Sequence, residues 1–306
     1  MEIMYAITPA KRVKFTKKCF EIGAATPINV DAGETAGGFA LSYWEVIENV
    51  WTPRILAEMR KTGLKSASRP RIMRTFHQGD GGGVITDMMR RWSRRMAADS
   101  AHVEIAWIAN YNRLMPRSGD PSRWISGADG SGAATAPNMR YWQSQIKIKL
   151  SRVDLVIMHG GGADEPGCVI FPILALDRGG CAIVHVELPA RPQLAHLAYI
   201  FANHFDESRF YITDLGDVFL CGLGLRDRVN RAGERFLLDY VKIARETPGY
   251  GPLARAFTES DAYIAWFEIF CAVLTSLAIL RARAPAKVPA PADLIRWEKK
   301  HNYLLT

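Results

Sequence analysis

Between residues 28 and 205 the chain alternates short apolar, β-branched runs with longer amphipathic ones, and this rhythm limits its fold more than any other feature. "PINVDAG" reads as a strand, and "LSYWEVIENVWTPRILAEMRKTG" as a helix that breaks or restarts at Pro53. "PRIMRTFH" is a strand, "VITDMMRRWSRRMAAD" a helix and "HVEIAWIANY" a strand. A Gly/Ser/Pro-rich loop at 116–138 precedes the helix "MRYWQSQIKIKL". Then come the strand "VDLVIMH", the helix "CVIFPILALDRGG", the strand "CAIVHVEL" and the helix "QLAHLAYIFANHF". Strands separated by helices of this length predict βαβ crossovers and a parallel sheet. Continuous apolar strands such as 153–158 and 181–186 predict a sheet covered on both faces. The expected class is therefore α/β, a doubly wound, Rossmann-like parallel sheet.

After 205 the rhythm changes. "RFYITDLGDVFLCGL" reads as a hairpin turning at Gly216-Asp217, and "RDRVNRAGERFLLDYVKIARE" as an amphipathic helix. The expected organisation is an N-terminal extension over 1–24, a Rossmann-like domain over 25–215 and a mainly helical C-terminal extension over 216–306. Residues 262–280 are apolar enough for two readings. A helix buried in the core or in a homodimer interface is the expectation. A membrane span flanked by Arg281, Arg283 and Lys287 is the alternative, and Glu268 inside the segment opposes it.

In an open parallel sheet, ligands bind beyond the carboxyl ends of the strands. The first strand ends at Asp31-Ala32-Gly33 and the second at His77-Gln78-Gly79-Asp80, followed by Gly81, Gly82 and Gly83. The third ends at Asn110, the fourth at His159 followed by Gly160, Gly161 and Gly162, and the fifth at Glu187. Two of these five turns thus hold three consecutive glycines, each ahead of a helix. Helix N-termini offer free backbone N–H groups and partial positive charge, and glycine lets a phosphate approach them. The expected ligand is a nucleotide or a nucleotide-like phosphate compound. It would be held by Asp31, Gly33, His77, Gly81, Gly82, Gly83, Thr86, Asn110, His159, Gly160, Gly161 and Gly162.

Over roughly 28–215 the order of elements resembles the Lonely-guy (lysine-decarboxylase-like) phosphoribohydrolases and their wider SLOG superfamily of nucleotide-binding domains. "GGGVITDMM" resembles their GGGxxGxM motif, with Thr86 in place of the fourth glycine. "MRYWQSQIKIKLSRVDLVIMHGGGADEP" resembles the helix, strand and PGGxGTxxE that follow. His159 stands for the proline there, and Ala163-Asp164 for the Gly-Thr. The resemblance implies nucleotide binding as a sensor, or hydrolysis of an N-glycosidic bond. Arg140 would then hold phosphate, and Glu187 or Glu165 would be the carboxylate that stabilises an oxocarbenium-like transition state.

Two alternatives use the same residues. "QGDGGGVIT" also resembles the KGGxGK[ST] of ParA/MinD-type P-loop ATPases, although Gln78 and Gly83 occupy the lysine places and only Thr86 lies near the hydroxyl position. That resemblance implies a degenerate nucleotide site, with Mg2+ accompanying the nucleotide, and DNA as partner. The formal charge of +8 and the run "RRWSRR" (Arg90, Arg91, Arg94, Arg95) fit an anionic partner. The second alternative is a metal-dependent hydrolase: His77, His159 and Glu187 end three strands, with Asp31 and His185 near, and imidazoles plus a carboxylate suit zinc or iron. No HExxH or HxH spacing accompanies them, so neither a metal site nor a definite cofactor is the first expectation.

The five cysteines form no CxxC pair. Together with an N-terminus lacking an apolar core they predict a reducing, cytoplasmic location. His196 and His204, eight apart on one helix, read as core-edge residues, and no GxSxG elbow is present.

Overall fold

A computed structural model describes residues 2–3, 42–61, 71–79, 83–98, 103–111, 120–159, 165–187, 193–213, 215–246 and 261–283. The expected first strand, with Asp31 and Gly33, lies outside these residues. So do Asp80, Gly81 and Gly82, and Gly160, Gly161 and Gly162.

The elements in chain order are β1 (Glu2–Ile3), α1 (42–61), β2 (Arg71–Gln78), α2 (Val84–Ala98), β3 (Val103–Asn110) and β4 (Trp124–Ile125). They continue as α3 (Ala136–Lys149), β5 (Leu155–His159), α4 (Glu165–Ala175), β6 (Cys181–Val186) and α5 (Gln193–His204). The chain then forms β7 (Phe205–Ile212), β8 (Val218–Leu225), α6 (Arg231–Glu246) and α7 (Asp261–Arg283). All strands join one sheet in the order β1-β7-β8-β6-β5-β2-β3-β4. β4, β3, β2, β5 and β6 are mutually parallel, whereas β8 pairs antiparallel with both β6 and β7. The fold is α/β and Rossmann-like, with a helical C-terminal region.

Side-chain alternation sends the residues of the central strands into two separate cores. On one face Met73, Leu155, Ile157, Ile183 and Phe219 meet α1 and α2. On the other, Phe76, Val156, Met158, Val184 and Leu220 meet α3 to α7. β6 is buried along its whole length, as its unbroken apolar sequence requires of a central strand. α2 delivers Ile85, Met88, Met89, Trp92 and Met96 to the sheet, the spacing of one helical face.

Pro53 does not break α1. A π-helical turn at Ile47–Trp51 widens the helix just before it, and Thr52 returns both its N–H and its hydroxyl to Ile47 O, the latter at 2.9 Å. The wider turn accommodates a ring that has no N–H to donate. Trp92 Nε1 donates to Thr52 Oγ1 at 2.8 Å, and the Trp51 and Trp92 rings lie 4.5 Å apart, locking α1 to α2.

The boundary expected at 215–216 falls inside the β7–β8 hairpin. The turn spans residues 213–217 with Gly216 at φ +86°, and β8 inserts between β6 and β7. α6 and α7 also belong to the main core, through residues such as Leu237, Val241, Phe270 and Leu277. Among the described residues no helix is long and apolar enough to cross a membrane, and α7 packs on α5 and β7.

Candidate functional site

The strand order fixes where the switch point of the sheet lies. From β2 the chain passes through α2 to β3 on one side; from β5 it passes through α4 to β6 on the other. β2 and β5 are neighbours, with Gln78 opposite Met158, so their carboxyl ends form the switch point of the sheet. The two glycine runs leave from these adjacent ends.

Gly79 precedes the first run and Gly83 closes it, with φ of +75° and +76°, a region open to glycine and strained for other residues. Gly79 also lies so close to β5 that a Cβ built on it would stand 2.8 Å from His159 Cβ. Packing against the His159 Cβ thus accounts for this first glycine without any ligand. Gln78 ties the two ends together: its Oε1 accepts from His159 N at 3.2 Å and from Cys168 Sγ at 3.6 Å. The residue at the place of a P-loop lysine therefore fastens β2 to β5 and α4.

His77 is fully buried, and its Nδ1 lies 2.9 Å from Thr86 Oγ1 in the first turn of α2. Burial pushes its pKa down to about 3, so the ring is neutral. His159 sits one strand over, with Nδ1 3.1 Å from Tyr43 Oη of α1. Its ring stacks on His185, centroids 4.9 Å apart and planes 9° from parallel. Burial, reinforced by the charge of His185 and opposed by Asp217, lowers the His159 pKa to about 4. His185 Nε2 is 3.8 Å from Asp217 Oδ1, and Asp217 Oδ2 accepts from Ser42 Oγ at 2.5 Å. Thr213 closes the cluster, with its Oγ1 3.3 Å from Ser42 Oγ and accepting from Asp217 N at 3.1 Å. A polar network thus crosses the carboxyl edge from α1 to the β7–β8 turn. Ser42 donates to a carboxylate rather than to an imidazole, which is not the arrangement of an activated nucleophile.

The other expected residues occupy distinct places. Asn110 is fully buried, and its Nδ2 donates to Ile125 O at 3.2 Å and Ser126 O at 2.6 Å, holding β4 to the end of β3. Glu165 is buried as the first residue of α4, where the helix dipole favours its anion. Glu187 is exposed beyond β6. Arg140 is exposed on α3 and lines a cavity with Arg231, Glu234, Arg235 and Leu238 of α6, a cavity that includes neither glutamate. Among the described residues, no group of three or more His, Cys, Asp or Glu is placed to hold a metal ion. Cys168, Cys181, Cys221 and Cys271 are buried free thiols, and burial pushes Cys181 and Cys221 up to about 11 and 12.

The sequence did not disclose the ordered segment that packs on α4. Within the loop expected at 116–138, a 3-10 turn (Pro121–Arg123) and β4 are followed by a segment organised around Asn138. Asn138 Nδ2 donates to Asp129 Oδ1 at 2.8 Å and Ala133 O at 2.9 Å, and its Oδ1 accepts from Asp129 N at 3.2 Å. Asp129 also accepts from Ser131 N and Oγ, and these hydrogen bonds lower its pKa. The segment packs on α4 so tightly that a Cβ on Gly167 would stand 2.0 Å from Ala134 O. The Asp129-Gly130-Ser131 triplet, an Asx-turn sequence, and Thr135 ahead of Pro137, an N-cap signal, were the available clues. No protein-family model matches the sequence, and no curated protein matches it either.

Proposed function

We propose that the chain binds a nucleotide or a nucleotide-derived phosphate ligand in the crevice between the ends of β2 and β5. One observation carries this reading: two triple-glycine runs, each leading into a helix, leave from adjacent strands at the topological switch point of a Rossmann-like sheet. The helices that follow, α2 and α4, direct their N-terminal partial charges toward that edge, which favours an anionic ligand.

Binding without hydrolysis is the preferred form of the proposal. The implied N-glycosidic chemistry asks for an arginine and a carboxylate at one centre, yet Arg140 faces α6 while Glu165 is buried at the head of α4. The protein would act as a nucleotide sensor. Thermal unfolding in the presence of AMP, ADP-ribose, NAD and ATP with Mg2+ tests the reading. Stabilisation by at least one of them is expected, at 100 Kd by about 2.7 kcal/mol. An unchanged transition with all four would remove the proposal. Stabilisation by Mg-ATP alone would instead favour the degenerate P-loop reading.

A further inference from the structure

Two cations of the "RRWSRR" run are already paired within the fold. On α2, Arg90 lies 3.6 Å from Asp87, and Arg95 pairs with Glu48 while its guanidinium lies 5.4 Å from the Trp44 ring centroid. These two cations are spent on folding. The outer surface of α3 and α6 differs. A cavity of about 230 Å3 is lined by Arg140, Arg231 and Arg235 with Glu234 as its acidic member. Beside it, a second cavity of about 320 Å3 runs between α3, the end of α4 and the β8–α6 connection, and includes Lys147, Arg152 and Arg228. Arg228 pairs with Asp177 and Arg152 with Asp154. Among the described residues Arg140, Arg231, Arg235 and Lys147 make no ion pair.

Arg140 and Lys147 are seven residues apart, two turns along one face of α3, which separates them by about 10 Å. The two cavities therefore lie along one face of α3, each with an unpaired cation of that helix in its lining. Gathering like charges along a concave surface opposes folding through mutual repulsion, and an anionic partner relieves it. Arginine forks match phosphate oxygens bidentately. A concave groove of this kind suits a strand better than a flat membrane surface does.

We propose that the α3–α6 groove binds the phosphodiester backbone of a nucleic acid through Arg140, Lys147, Arg231 and Arg235. This site is separate from the β2/β5 crevice and takes a different ligand. Fluorescence anisotropy of the full chain with labelled oligonucleotides of about 20 residues, single-stranded and duplex in separate arms, tests it. Four phosphate contacts predict a log K against log salt slope of about −3 for a single strand and about −3.5 for a duplex. Affinity would fall roughly 50- to 150-fold between 50 and 200 mM salt. The Arg140→Ala/Arg235→Ala variant, at exposed positions and checked for folding by circular dichroism, would halve the slope. The Arg90→Ala/Arg94→Ala variant would leave it unchanged. Absence of salt-dependent binding in both arms would overturn the proposal. So would a slope that survives the α3–α6 substitutions or disappears with those on α2, or retention on phosphatidylserine vesicles without nucleic-acid binding.

Discussion

Gly79 and His159 face each other across the ends of β2 and β5, and the His159 Cβ stands 2.8 Å from where a Cβ on Gly79 would lie. The glycine thus answers to two demands, this contact and a φ of +75°. Gly79→Ala is expected to destabilise the protein by roughly 2–4 kcal/mol, about 1–2 of it from the left-handed backbone and the rest from overpacking. Adding His159→Gly, which removes the crowding Cβ, should recover the steric part and leave the backbone part. Denaturant unfolding of the four members of this cycle measures both, and strict additivity would show that the contact has no energetic weight.

Gln78 is the link between the two strand ends. Gln78→Leu keeps the volume and removes the acceptor for His159 N and Cys168 Sγ. The unsatisfied N–H should cost about 1–3 kcal/mol. If Gln78 were a displaced ligand-contacting residue with no structural part, urea unfolding of the variant would match that of the wild type.

The buried histidines set a pH dependence. Their folded pKa values, about 3 for His77 and about 4 for His159, lie below the ordinary 6.5, so between these limits the unfolded chain binds more protons. Stability is complete above pH 6.5 and declines as pH falls toward 4, His159 contributing on the order of 3 kcal/mol of that loss. Urea unfolding from pH 7.5 to 4.5 should show a shallower slope in His159→Gln than in the wild type. Parallel slopes would mean that this imidazole keeps its proton in the fold.

Ser151 closes α3 with φ +66°, the single described non-glycine residue in the left-handed region, and its N–H bonds to Ile146 O at 3.0 Å. This is the position after a helix at which glycine is favoured. Ser151→Gly should stabilise the protein by roughly 0.5–1 kcal/mol, read as a raised thermal midpoint. A lowered midpoint would show that the hydroxyl has a partner worth more than the relieved strain.

The alternation of strand and helix was legible because apolar runs such as 155–159 and 181–186 are buried on both faces, and burial dictates composition locally. The insertion of β8 between β6 and β7 was not, because strand order depends on pairings between residues distant in sequence. For the same reason His77 and His159 could be picked out as strand-end residues, while their partners could not. Ser42 and Asp217 are 175 positions apart and Tyr43 and His159 are 116 apart. Helix starts were misjudged by three residues at α3 and α4, where Thr135 and Glu165, rather than the first apolar residue, mark the turn. Arg140 was grouped with the strand-end glutamates by resemblance alone, and its place on the outer face of α3 is set by the helix phase.

Hydrogen exchange of the full chain, measured with and without each nucleotide of the panel, tests the central claim most directly. The account predicts that a stabilising nucleotide slows exchange in the segments leaving β2 and β5, around 79–90 and 159–170, while α6 is unchanged. Protection confined to α3 and α6, or none anywhere with any nucleotide, would contradict a phosphate-binding crevice at the switch point.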